Sequence, residues 1–186
     1  FYEEFRDRLV DLVTELKTGD PINPDTFIGP VISVKDAKRI VEWIKEAEAG
    51  GGKILCGGNA KGSMVDATVV ENVPHTCNLY AEEVFGPVVV IESYDGADFK
   101  KVIDSVNDSK YGLQAGIFTN NLNKAFYAFE NLEVGGVVIN NTPSVRADAQ
   151  PYGGVKDSGL GREGIRYAID DMTEPRIMLL NNVGVL

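Results

Sequence analysis

The sequence predicts an α/β protein with a largely parallel sheet and helices packed on it. Three observations carry that expectation. From Val65 to Asn140, strand and helix signals alternate, an order that implies right-handed crossovers between parallel strands. The helical stretches are amphipathic, and the strand stretches are short apolar runs bounded by turn residues. The 186 residues are 44% hydrophobic and 25% charged, the balance of a globular chain large enough to bury a core without disulfides or metal.

One domain is the default at this length. Phe5, Leu9, Leu12, Val13 and Leu16 recur at helical spacing until Gly19 and Pro21 stop the pattern. Residues 23–32 read as an extended loop, because Pro24 and Pro30 deny it helix and Gly29 permits a turn. Ser33 then caps a helix whose apolar stripe is Ala37, Ile40, Val41, Ile44 and Ala47, with Lys35, Lys38, Arg39, Glu42, Lys45 and Glu46 opposite. Gly50, Gly51 and Gly52 end it. Strands are expected over 53–56, 65–70 and 88–94, then a helix on Phe99, Val102, Ile103 and Val106. A strand over 115–119, a helix on Leu122, Ala125, Phe126, Phe129 and Leu132, and a strand over 134–140 follow. Between Asn141 and Gly161 the pattern gives way to a long loop rich in proline and glycine, the kind of segment that carries function. Ile165, Ala168, Ile169 and Met172 form a short helix, and residues 177–180 read as a final strand with no partner in the alternating scheme.

The formal net charge is -10, with 28 acidic against 18 basic residues and no basic cluster, so a nucleic-acid partner is not expected. No apolar run approaches the ~20 residues of a membrane span, and no signal-peptide pattern is present. Cys56 and Cys77 lie in unrelated contexts, which points to a reducing, cytoplasmic setting. The sequence opens on Phe1 with helical residues at once, and the expectation is a piece of a longer polypeptide.

The stretch Ala81 to Pro87 places two carboxylates and an aromatic ring before a Gly-Pro turn and an apolar strand. Such a charged, aromatic lip at a strand end is where an open α/β sheet places a ligand. Adjacent Glu82 and Glu83 diverge, so at most one faces a given ligand, whereas Glu83 and Phe85 share a side of an extended segment. A carboxylate for sugar hydroxyls beside a ring for a flat heterocycle suits a nucleotide. Gly159, Gly161 and Gly164 match G-x-G-x-x-G, but the preceding strand ends far upstream and no acidic residue follows at ribose distance, so a tight loop entering a helix is expected instead. His75 and Cys77 are spaced for a thiolate-imidazole pair, yet Pro74 puts them in a turn, which disfavours a hydrolase. One histidine and two cysteines make a poor zinc set, and no metal is expected.

Taken together, Gly19-Asp20-Pro21, Ile28-Gly29-Pro30-Val31-Ile32-Ser33, Glu82-Glu83-Val84-Phe85-Gly86-Pro87, Tyr111-Gly112-Leu113 and Pro151 to Gly159 with Arg162-Glu163 resemble successive motifs of the NAD(P)-dependent aldehyde dehydrogenases. That resemblance implies a cysteine that attacks the aldehyde, hydride transfer to NAD or NADP, and hydrolysis of a thioester. It places the nucleophile, the general base and most cofactor contacts before Phe1, so that no catalytic residue is expected in this chain and the chain alone is expected to be inactive. Residues 1–173 then correspond to part of the catalytic domain and 174–186 to an oligomerisation tail that builds a homodimer or homotetramer. By the same resemblance, Glu83 meets the nicotinamide ribose, Phe85 packs near the nicotinamide, Tyr152 lies near the substrate tunnel, and Thr142 to Gln150 lines its mouth. Asn141 to Asp148 looks most like members acting on short hydroxy-, phospho- or phosphono-aldehydes, such as lactaldehyde and phosphonoacetaldehyde dehydrogenases. Arg146 is a candidate for an anionic substrate tail, since a guanidinium reads phosphate or carboxylate bidentately; the competing expectation is a surface pair with Asp148. The alternative to the enzyme is a noncatalytic assembly module.

Overall fold

The computed structural model describes residues 1–184. The last two positions of the expected tail, 185 and 186, lie outside the described residues. The chain divides into two compact units, Phe1–Asp95 and the residues from Gly96 onward, where one domain is the sequence default.

In the first unit, α1 (Tyr2–Thr14) precedes α2 (Val34–Ala49), which follows the Pro-rich loop. The capping expected of Ser33 is present: its Oγ accepts from the Asp36 N–H at 3.1 Å and donates to the Asp36 carboxylate at 2.6 Å. Gly51, at φ 106°, closes the other end, and the Gly52 N–H reaches back to the Ala47 carbonyl at 2.8 Å. The expected stripe of α2 is the core: Ala37, Ile40, Ile44 and Ala47 are fully buried against Val65, Val70, Val73 and Leu79.

That core lies on the sheet β1 (Lys53–Cys56), β4 (Thr68–Glu71) and β5 (Val88–Ile91), in the order β1-β4-β5. All four residues of β4 are buried, as befits the central strand. It runs parallel to β5, with Thr68 opposite Val88 and Glu71 opposite Ile91, and antiparallel to β1. The strand expected over 65–70 is interrupted. Thr68 Oγ1 donates to the Asp66 carbonyl at 2.7 Å and accepts from the Gly58 N–H at 2.9 Å, and these side-chain bonds turn the backbone where a ladder would run straight. What precedes the break is instead β3 (Met64–Val65), hairpinned to β2 (Ala60–Lys61) through Gly62. A short α3 (Asn78–Ala81) leads toward β5.

In the second unit, β7 (Gln114–Ile117) and β8 (Gly136–Ile139) pair in parallel across α5 (Leu122–Asn131), the crossover the alternation predicts. β6 (Tyr111–Gly112) pairs antiparallel with β9 (Val155–Lys156). α4 (Phe99–Asn107) and α5 enclose a small core of Ile103, Ala128 and Leu132. Lys156 ties β9 to the end of α4: its Nζ donates to the carbonyls of Asn107 at 2.6 Å and Ser109 at 3.0 Å and lies 2.7 Å from the Glu133 carboxylate. A cation there satisfies carbonyls that have no intrahelical partner. α6 (Ile165–Met172) follows the long loop.

The α/β class is the one the sequence predicts. Among the described strands, parallel ladders number one in each unit, beside a single parallel bridge of Thr18 to Ile28, and the antiparallel ladders β1–β4, β2–β3 and β6–β9 go beyond the alternation. Residues 177–180 are exposed and pair with no described strand, because an extended segment becomes a strand only beside a neighbour that takes its backbone hydrogen bonds. Among the described residues, no helix is long and apolar enough to cross a membrane.

Candidate functional site

The lip belongs to the first unit. The chain leaves α3 extended at Glu82, and Phe85 then takes φ 51°, a left-handed conformation uncommon for a side chain of its size. Period-two alternation therefore does not carry through to Phe85, which corrects the argument that put it on the Glu83 side by spacing. Both side chains are exposed, Phe85 by 74%.

What holds this turn is α2. An Arg39 Nη2 donates to the Val84 carbonyl at 2.9 Å, and its guanidinium lies 4.4 Å over the Trp43 ring. Gly86 rests on the same helix so closely that a Cβ there would come within 2.6 Å of Ile40 Cδ1. The Asp36 carboxylate, 3.5 Å from Arg39, is held below its usual pKa first by the Ser33 hydroxyl and then by Arg39. Sequence reading assigns Arg39 only to the polar face of its helix. Nothing local marks it as the brace of a turn 45 residues away.

The second unit brings together Arg146, Tyr152 and Glu163. Tyr152 and Glu163 form a two-residue antiparallel bridge: the Tyr152 N–H donates to the Glu163 carbonyl at 3.1 Å, and the Glu163 N–H donates to the Tyr152 carbonyl at 2.6 Å. Above it the Arg146 guanidinium lies 4.5 Å from the Tyr152 ring centroid and donates through Nη2 to the Glu163 carboxylate. The partner of Arg146 is thus Glu163 rather than Asp148. Glu163 lies 17 positions after Arg146 in sequence, and the bridge to Tyr152 brings it back to the guanidinium. Within the loop, the Thr142 and Ser144 hydroxyls bond at 2.7 Å, and Gln114 Nε2 donates to the Val145 carbonyl at 3.2 Å. The Gly159–Gly164 stretch is a turn into α6, with Gly164 at φ 115° as its N-cap, in keeping with the loop expected there.

His75 and Cys77 part company. Cys77 is 7% exposed within the first core, whereas His75 stacks on the Tyr80 ring at 3.9 Å and bonds Glu92 at 2.9 Å. The turn at Pro74 separates their surroundings, and the imidazole faces a carboxylate rather than the thiol. Cys56 is half-buried in β1. Among the described residues, no three His, Cys, Asp or Glu side chains gather as a metal site would need.

A model of the aldehyde dehydrogenase family matches residues 1–178, a span that contains the lip and the Arg146 cluster alike. The chain belongs to that family. It is 47% identical over 180 residues to 3-sulfolactaldehyde dehydrogenase of Priestia aryabhattai, covering 97% of this chain and 37% of that protein. It is 42% identical over 180 residues to lactaldehyde dehydrogenase of Methanococcus aeolicus, with 96% and 38% covered. Among solved structures, aldehyde dehydrogenase 21 from Physcomitrella patens, in complex with the reaction product succinate, superposes with a TM-score of 0.94 at 52% identity over 100% of this chain and 38% of that one. Glyceraldehyde-3-phosphate dehydrogenase GapN of Methanocaldococcus jannaschii, complexed with NADP, superposes with a TM-score of 0.86 at 39% identity, over 91% of this chain and 36% of that one. The chain therefore spans between a third and two fifths of the length of these aldehyde dehydrogenases.

Proposed function

We propose that this chain is the part of an NAD(P)-dependent aldehyde dehydrogenase that supplies a portion of the cofactor site and the mouth of the substrate site. The observation that carries the reading is the superposition of the whole chain on aldehyde dehydrogenase 21 at 52% identity. In this reading Glu83 accepts hydrogen bonds from the nicotinamide ribose, and the Phe85 ring packs near the nicotinamide. Their chemistry suits that group: an exposed carboxylate and an exposed aromatic face, both held on a turn that α2 braces. When bound, NAD or NADP supplies a hydride acceptor. Arg146 and Tyr152 line the approach of the substrate. The substrate class is a short aldehyde carrying a hydroxyl or anionic group, in line with the lactaldehyde and 3-sulfolactaldehyde that name two relatives.

No residue of this chain is assigned the nucleophile. Cys77 is a core side chain and Cys56 sits in a strand, so neither has the exposed, electropositive surroundings that activate a thiol. The reading extends to residues 1–173 as part of a catalytic domain, to 174–186 as a tail that assembles a homodimer or homotetramer, and to a cytoplasmic setting.

The test is NAD(P)H formation on a panel of short aldehydes, first by this chain and then by a longer polypeptide that includes it. No turnover by the chain and turnover by the longer protein is the expected result. Turnover by the chain alone would overturn the assignment of the nucleophile elsewhere. A longer polypeptide that assembles without oxidising any aldehyde would favour a noncatalytic assembly module.

A further inference from the structure

Arg146 carries two contacts of different kinds. Its guanidinium carbon lies over the Tyr152 ring, and its Nη2 donates to the Glu163 carboxylate. A guanidinium has five N–H donors, and among the described residues Nη1 and Nε of Arg146 have no acceptor. The ring contact and the carboxylate hold the guanidinium at two points, and the edge not turned to Glu163 is left for a second anion. The Tyr152–Glu163 backbone bridge sets the spacing of the two supports, so neither shifts without the other.

We propose that Glu163 is a positioning residue for the recognition of anionic aldehydes, acting through Arg146 by holding the guanidinium over Tyr152 with its free edge presented to the substrate's carboxylate, sulfonate or phosphate. The inference rests on the reading of Arg146 as a substrate-lining residue. Its added content is that specificity belongs to the triad and not to the arginine alone. Arg146 and Glu163 are exposed while Tyr152 is half-buried beneath the guanidinium, which stays open to a ligand from solvent, and Glu163 orients it without satisfying it. A neutral aldehyde gains nothing from this orientation, because it has no group for the free edge to bind.

The experiment measures kcat/KM for 4-oxobutanoate and for butanal, an anionic and a neutral aldehyde of equal chain length, in the complete enzyme. The quantity read is their ratio, which cancels effects common to both substrates. Arg146→Ala lowers the ratio about tenfold or more, the loss of a charge-assisted contact. Glu163→Ala lowers it about threefold to fivefold through KM for the anion, the scale of an exposed ion pair. Glu163→Gln retains an acceptor and restores most of the ratio. In the Arg146→Ala background, Glu163→Ala has no further effect on the ratio, since it acts only through the arginine. A ratio untouched by Arg146→Ala overturns the substrate role of Arg146 itself. A ratio lowered by Arg146→Ala but untouched by Glu163→Ala, or lowered additively in the double variant, overturns the positioning role of Glu163 and leaves that of Arg146 standing.

Discussion

Tyr2 shows how one hydroxyl can tie a helix to a sheet. It donates to the Glu71 carboxylate at 2.9 Å, with Arg6 3.6 Å from the same group, so that the buried end of β4 receives both partners from α1. Burial first, and the bond to Glu71 second, push the Tyr2 pKa up to about 12 from 10.0. The folded state thus favours the neutral phenol: its contribution is complete below the unfolded value near 10.0 and is lost as pH rises through about 12. Tyr2→Phe is expected to lower stability by about 1–2 kcal/mol at neutral pH and to flatten the alkaline limb, as read by urea denaturation across pH. At this scale the sequence was legible where chemistry is carried by neighbours. Ser33 and Asp36 are recognisable together because only three positions separate cap and capped residue. Glu71, Arg39 and Glu163 are not, since each acquires its partner from 17 to 69 residues away through the fold.

At the scale of elements, α2 follows its sequence most closely, because every level agrees: cap, stripe, charged face and glycine stop. Ser33→Ala removes the cap and frees Asp36 from the hydroxyl that lowers its pKa. The expected cost is about 1 kcal/mol, measured as a shift in the denaturation midpoint without a change of slope. Strands were less legible. An apolar run states burial but not continuity, so residues 65–70 read as one strand while the Thr68 hydroxyl breaks it. The paired ends of β6 and β9 are two residues each and lie 43 residues apart in their register, Gly112 opposite Val155, too short and too distant for periodicity to find.

For the whole molecule, alternation predicts the class and parallel crossovers but says little about how the chain partitions, since the boundary near Asp95 falls within the strand–helix succession. The tail is the clearest case of a strand signal that finds no partner among the described residues. Ile177, Met178, Leu179 and Leu180 are all at least 70% exposed and have no strand beside them among the described residues. If the proposed assembly is right, Leu179→Asp in the complete enzyme shifts its mass in light scattering from dimer or tetramer toward monomer, while an unchanged mass would remove the tail from the interface. These same side chains set the handling properties of the chain on its own. Four consecutive apolar residues bare to water are a seed for intermolecular β-stacking, which Glu174, Pro175 and Arg176 restrain at one end by charge and by a missing N–H. The remaining restraint is the mutual repulsion of copies that each carry a net charge of -10. Physiological salt shortens the reach of that repulsion to about 8 Å, so colloidal stability of the isolated chain falls as ionic strength rises.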